Sequence, residues 1–300
     1  MSKAFQKHSM RSLLYIPGNN PSMLQNCAIY GADAVIMDLE DSISISEKDS
    51  ARNLVKHALR DLDFGDMSII VRVNARDTPY FEQDIEEIIP ASPDAIRLPK
   101  VDSASDVLAA DELISRLEEI NGLPKGKIGI QAMLETARAI INVNSIAASS
   151  PRLVGLTLGG QDLAADLGIR ATKEGYELIY AKSAVIIAAK AFGLQAFDTV
   201  FTDVNDPEGL RTQTELSFAL GFSGKAAIHP SQVSIINSVY TPDPKELAKA
   251  IKIVTAAREA EQKGLGVIAV DGRMVDAPVV SQALRTIELA RLAGMEVSEL

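Results

Sequence analysis

Ala34-Val-Ile-Met-Asp38-Leu-Glu40-Asp41 and Ile69-Ile-Val-Arg72-Val-Asn74 share one pattern: an apolar run of strand length that ends on polar or charged residues. Ala95-Ile-Arg97-Leu-Pro-Lys100, Ile128-Gly-Ile-Gln131-Ala-Met-Leu-Glu135 and Leu156-Thr-Leu-Gly-Gly-Gln161-Asp162 repeat it. Glu40, Arg72, Lys100, Glu135 and Asp162 fall at intervals of 32, 28, 35 and 27 residues. One strand, loop and helix of a (β/α)8 TIM barrel takes about 30 residues, since about 250 residues make eight units. In that fold the strand C-termini meet at one mouth, so the spacing predicts that these five side chains gather in one cup.

Working outward, strands are expected at 12–16, 34–38, 68–73, 95–98, 128–134, 154–158, 196–200 and 224–228. Helices are expected between them at 21–30, 46–59, 79–89, 105–120, 137–148, 176–191 and 207–219. Asn20 before Pro21 reads as a helix N-cap, and Ser46 with Asp49 reads as an acidic capping box. The alternation points to an α/β parallel barrel over residues 1–235. Residues 236–300 form a C-terminal helical and hairpin lid extension. It comprises a helix at 244–263 with apolar Leu247, Ile251, Val254 and Ala257, a Gly-rich hairpin presenting Asp276, and a return helix at 278–292. Asp271-Gly272 is the turn signal of that hairpin.

The chain has 300 residues, 47 % hydrophobic and 23 % charged, the profile of a soluble globular protein. A net charge of −10 leaves no basic stripe and disfavours nucleic-acid binding. Cys27 is the single cysteine, so no intrachain disulfide forms. It reads as a small core residue, and a reducing cytoplasm fits. The first eight residues lack the apolar segment of a secretory signal. No apolar run reaches the ~18 residues of a membrane-spanning helix.

Two carboxylates, Glu135 and Asp162, end consecutive strands, and barrel geometry makes them neighbours. Close carboxylates repel, and a divalent cation relieves them. Oxygen-only ligation by few protein groups suits Mg2+. The competing reading makes each the N-cap of the helix that follows it. Arg72 points into the barrel on the face of Ile70 and Asn74, and a buried charge there needs a partner. A substrate carboxylate and the protein's own Asp38, Glu40 or Asp41 both qualify. The reading adopted has Arg72 held by Glu40 or Asp41 when empty and gripping substrate when full. Lys100 reads as a rim lysine before a Schiff-base one, because nothing desolvates it. Gly159-Gly160 lets backbone approach a ligand. His229 is either a base or a structural His-Pro strand end. Asp276 has a capping role only if it starts the last helix. His8 and His57 show no identifiable partners.

Six ordered motifs carry a family resemblance: Arg11-Ser-Leu-Leu-Tyr-Ile-Pro-Gly-Asn, Gly31-Ala-Asp-Ala-Val-Ile-Met-Asp-Leu-Glu-Asp, Val71-Arg-Val-Asn, Arg97-Leu-Pro-Lys, Gly159-Gly-Gln-Asp-Leu-Ala-Ala-Asp-Leu-Gly and Gly272-Arg-Met-Val-Asp-Ala-Pro. Over residues 11–292 the chain resembles the citrate lyase β-subunit family, with its citryl-, malyl- and citramalyl-CoA lyases, among the HpcH/HpaI aldolases. The resemblance implies Mg2+ on Glu135 and Asp162 and a substrate-carboxylate grip by Arg72. It implies a supporting acidic cluster at Glu40 and Asp41, and substrate contacts at Glu135, Gly160 and Gln161. Asp276 is then a lid aspartate reaching a neighbouring subunit's site in a trimer or hexamer.

The implied reaction cleaves a 3-hydroxyacyl thioester between C2 and C3 into an oxo acid (oxaloacetate) and an acetyl thioester. Asp276 exchanges the proton of the enolate carbon. His229-Pro230 and Gln161-Asp162 look like free-standing CoA lyases. Gln25 and Asn26 replace a lysine common in those enzymes, which suits an acyl-carrier-protein substrate and citrate lyase α and γ subunits as partners. The competing expectations are a malyl-CoA or citramalyl-CoA lyase, a metal-dependent aldolase of free hydroxy-oxo acids, and a non-catalytic assembly subunit.

Overall fold

Eight short strands close into a parallel barrel in the order of the chain. They are β1 (Ser12–Pro17), β2 (Ala34–Asp38), β3 (Ser68–Arg72), β4 (Ala95–Leu98), β5 (Gly129–Leu134), β6 (Leu153–Leu158), β7 (Gln195–Asp198) and β8 (Gly224–Ala227). β8 returns to pair with β1. This computed structural model describes residues 9–170, 172, 175–262 and 268–297. The strands are buried along nearly their whole length because helices cover the outer face and side chains fill the inner one.

The outer layer comprises α1 (Pro21–Asn26), α2 (Lys48–Asp61), α3 (Phe81–Ile88), α4 (Ala104–Ile120), α5 (Ala137–Ile141), α6 (Val143–Ala147), α7 (Gly160–Asp166), α8 (Ile179–Ala191), α9 (Pro207–Leu220) and α10 (Pro230–Tyr240). Asn20 caps α1 by accepting from the Met23 amide, as its sequence context predicts. The second helix starts later than expected. A 3-10 turn over Ile45–Glu47 precedes it, Ser46 makes no cap, and Asp49 pairs with Arg52 instead. The working capping box lies at Ser103 and Asp106 on α4. The expected helix over 137–148 is two helices hinged at Asn142. α10 has no counterpart among the expected elements.

Inside the barrel the lining grades from apolar to polar along the strands. Leu13, Ala34, Ile36, Ile70, Ala95, Val154 and Phe197 pack into one cluster at the strand beginnings. Polar side chains start one layer up, with Arg97 and Gln131, both fully buried.

The chain divides into two compact units, Met1–Asn237 and Ser238–Leu300. In the second, α11 (Pro244–Gln262), a hairpin of β9 (Ile268–Val270) and β10 (Arg273–Val275), and α12 (Ala277–Leu292) enclose their own core. Val270 pairs with Arg273, so Asp271-Gly272 is a two-residue loop. Both loop residues have positive φ, 51° and 74°, the combination an Asp-Gly hairpin turn supplies.

Candidate active site at the barrel mouth

Register decides the first feature of the mouth. Asp38 ends β2 and Arg72 ends β3, and the two stand directly opposite in the parallel ladder. Residues at one level on adjacent strands face the same side, so both side chains enter the barrel. Arg72 closes its fork on Asp38, with Nε to Oδ1 at 2.6 Å and Nη2 to Oδ2 at 2.7 Å. Only Nη1 looks outward, meeting Glu40 at 2.8 Å and Asp41 at 3.3 Å. The expectation that Glu40 or Asp41 holds this arginine is met at Nη1 alone: Asp38, the third candidate, takes the bidentate grip, and the two later acids share the remaining nitrogen.

Asp38 also organises the loop behind it. Its carboxylate accepts from the amides of Glu40 and Ser42. Lys48 donates to the carbonyls of Leu39 and Glu40, and Asn74 donates to Leu39 from the other side. Burial alone would raise the Asp38 carboxyl; the charge and hydrogen bonds of Arg72 outweigh it and hold Asp38 below the usual carboxylate range. Glu40 behaves oppositely. Burial, opposed by Arg72 and reinforced by Asp41 and Asp38, pushes it up to about 7.

Glu135 follows β5 and is 2 % exposed. Its Oε1 accepts from the Lys100 amide at 2.6 Å. Burial, then the neighbouring Asp162 charge, pushes its carboxyl up to about 8. Neither expected cap is observed. Thr136 caps α5, Gly159 occupies the N-cap position of α7, and Asp162 lies exposed in its first turn. Two carboxylates thus stand at adjacent strand ends without capping work. Among the described residues no ion pair joins Glu135 to a lysine or arginine, and no cluster of three or more His, Cys, Asp or Glu is arranged for a metal. A two-carboxylate oxygen set of this kind fits a hard divalent cation that keeps waters or substrate as its other ligands.

Gly159 is required here by space. A Cβ at that position would lie 2.5 Å from Glu135 Oε2 and 2.6 Å from its Cβ. The Gly160 amide donates to the Thr199 hydroxyl at 3.0 Å, so it is engaged inside the protein. Gly160, Gln161 and Asp162 line a mouth cavity of about 440 Å³ with Tyr15, Asp38, Asp41, Arg72, Met133 and Thr157. Glu40 reaches that lining through its ion pair with Arg72, and Glu135 is next to it through Gly159, whose Cα has no room for a Cβ beside the carboxyl.

The remaining expected residues sort themselves by contact. Lys100 has a left-handed backbone, φ 51°, and its exposed amine sits 3.7 Å from Glu40. Burial works against its charge, but Glu40, Asp41, Glu135 and Asp162 outweigh it and raise the amine above its ordinary value. That is the wrong direction for a Schiff-base nucleophile. His229 is exposed and bonds Ser231 at the start of α10. Asp276 is the N-cap of α12, accepting from the Val279 amide at 3.2 Å. His57 lies 3.8 Å from Asp61, and His8 falls outside the described residues. Cys27 is buried and donates to the Leu24 carbonyl; burial pushes its thiol up to about 11, so it is an inert core residue.

Sequence reasoning named Asp38 among three candidate partners of Arg72 but favoured Glu40 or Asp41 over it. It missed Tyr15, whose ring lies 5.0 Å from the Arg72 guanidinium carbon. Alternation along 12–16 was the available signal for its inward side chain.

Comparison with known proteins agrees with this geometry. Residues 11–230 match the model of the HpcH/HpaI aldolase/citrate lyase family. The chain is 42 % identical to citrate lyase subunit beta of Leuconostoc mesenteroides subsp. cremoris, over 96 % of both chains. It is 39 % identical to (3S)-malyl-CoA thioesterase of Cereibacter sphaeroides, again over 96 % of both. Among solved structures, CitE of Mycobacterium tuberculosis in complex with magnesium, acetoacetate and coenzyme A superposes with a TM-score of 0.78. That pair is 31 % identical over 94 % of this chain and 98 % of the other. The closed parallel barrel, the ordered strand-end acids and these matches together make the chain a member of the HpcH/HpaI aldolase/citrate lyase family.

Proposed function

We propose that this carbon–carbon lyase cleaves a citryl-type 3-hydroxyacyl thioester into oxaloacetate and an acetyl thioester, with Mg2+ on Glu135 and Asp162. The observation that carries the reading is the pair of acids at adjacent strand ends, buried Glu135 and exposed Asp162, with Asp162 and Arg72 lining one mouth cavity. The magnesium in the related CitE complex supports the choice of metal, and its coenzyme A supports a thioester carrier. Bound there, Mg2+ would act as a Lewis acid on the oxygens of the oxo-acid half.

The chain's own residues supply the rest. Arg72, fixed in place by Asp38, offers its Nη1 edge to the substrate carboxylate. Glu40, poised near 7 beside that edge, accepts the C3 hydroxyl proton as the C2–C3 bond breaks. The electrons of that bond pass to the acetyl thioester as an enolate, which a proton from Asp276 converts to product. Gln161 and the backbone at Gly160 border the substrate. Asp276 is assigned to a neighbouring subunit's site in a trimer or hexamer. A citrate lyase assembly with α and γ subunits would supply the acyl-carrier thioester, and the cytoplasm is the proposed compartment. Among the described residues no helix is long and apolar enough to cross a membrane.

The test is an assay of the purified chain with Mg2+ against citryl-, citramalyl- and malyl-CoA and a free hydroxy-oxo acid. The proposal expects cleavage of thioesters, with citryl fastest. Turnover of the free acid alone would replace it with the aldolase reading.

A further inference from the structure

Among the described residues of the barrel unit four arginines are almost wholly buried: Arg52, Arg72, Arg97 and Arg152. Three of them answer a buried acid, Asp84, Asp38 and Glu118 respectively. Arg97 answers none; among the described residues its hydrogen bonds go to uncharged groups. Its Nε and Nη2 donate to Gln131 Oε1, at 3.0 and 2.6 Å, and its Nη1 donates to the Tyr15 hydroxyl at 3.0 Å. The rings of Tyr15 and Phe197, 5.6 and 6.0 Å from its guanidinium carbon, offset part of the cost of that buried charge and leave it without a counter-anion.

The route to such an anion is through Tyr15. Its hydroxyl accepts from Arg97, so its own proton is left to donate, and Tyr15 lines the mouth cavity. The acceptor present is the Met133 sulfur at 4.0 Å, a weak one. Opposite Met133 in the ladder, the Thr157 hydroxyl, 1 % exposed and also lining the cavity, has no hydrogen-bond partner among the described residues. A phenol that accepts from Arg97 and an unpartnered buried hydroxyl together make a built pair of donors for anionic oxygen. Arg72 with its acids is the first carboxylate site, its guanidinium on the ring of Tyr15 at 5.0 Å and not on its hydroxyl.

We propose that Tyr15 and Thr157, with Arg97 behind them as a positioning residue, form a second carboxylate subsite at the cavity floor. It selects an oxo-acid half that carries two carboxylates over one that ends in methyl. This rests on the proposed cleavage reaction for its biological meaning but not for its test. The test is titration calorimetry in Mg2+ buffer with (S)-malate and (S)-lactate, which differ by one carboxylate. The wild-type chain is expected to bind malate roughly tenfold or more tightly than lactate. Tyr15→Phe and Thr157→Val each bring the two affinities toward parity by weakening malate more than lactate. Arg97→Gln lowers the same ratio, which a purely structural arginine would not move. Should Tyr15→Phe fail to fold, the nearly isosteric Thr157→Val carries the same outcome.

Equal binding of malate and lactate by the wild type, binding of neither, or a preference that survives both hydroxyl deletions overturns the subsite. A chain that cleaves no thioester yet keeps a Tyr15-dependent malate preference loses the reaction and keeps the subsite. Cleavage of citryl-CoA without that preference does the reverse.

Discussion

Arg72 is already gripped by Asp38 before any ligand arrives, and that changes what its replacement should do. Lysine can keep the charge but not the two-point fork. Losing one charge-assisted bond of ~1.5–3 kcal/mol corresponds to roughly one to two orders of magnitude in rate. Arg72→Lys is therefore expected to lower kcat/KM for thioester cleavage by about 10- to 100-fold. Near-normal kinetics would make the residue a structural ion-pair partner only. Asp162 allows a cleaner experiment because it is exposed and caps nothing. Asp162→Ala should leave the far-ultraviolet circular dichroism and melting temperature close to wild type. Calorimetric Mg2+ binding and lyase activity should both be lost. A variant that retains activity in chelator would remove the metal from the account.

Strands and their partners set what could be foreseen. The five strand-end residues were legible because each closes an apolar run, and the run length is what the barrel demands. The precedence of Asp38 over Glu40 and Asp41 as partner of Arg72 was not, because it depends on register between strands whose opposed residues are 34 apart in sequence. Helix starts were missed where several Ser and Asp compete, as at Ser44, Ser46 and Asp49, since local hydrogen bonding alone does not rank them. Buried polar groups were the least visible. Arg97 and Gln131 sit within apolar runs and alternate inward, but their mutual bond crosses two strands.

The same holds for Asp198 at the end of β7, which receives Lys182 of α8 at 3.1 Å and Lys225 of β8 at 3.0 Å. These contacts join the sheet to its outer layer beneath the mouth. Burial opposes the Asp198 charge, but Lys225 and Lys182 outweigh it and lower the carboxyl to about 2. A lowered folded value means the contribution is present above the usual carboxylate range and fades as pH falls toward 2. Asp198→Asn, which strands two buried ammonium groups, is expected to cost ~3–5 kcal/mol at pH 7 by urea unfolding. Its deficit relative to wild type should shrink on acidification. A pH-independent deficit would assign the loss to packing.

The molecule divides at Asn237, with the mouth acids in one unit and Asp276 in the other. Asp276 caps α12 through Oδ1, so the proposed role in a neighbouring subunit must be separated from that local one. Asp276→Ala and Glu135→Ala should each be inactive alone. Mixed under conditions of subunit exchange, they should regain part of the activity, because some composite sites then hold both intact residues. Exchange proven by mass with no recovered activity would leave Asp276 as a helix cap or as a residue of its own subunit's site. The central claim concerns which bond breaks, and product analysis of citryl-CoA turnover addresses it most directly. With Mg2+ the account predicts equimolar oxaloacetate and acetyl-CoA, abolished by chelator and restored by added Mg2+. Free coenzyme A with citrate and no oxaloacetate, or the same turnover in chelator, would contradict it.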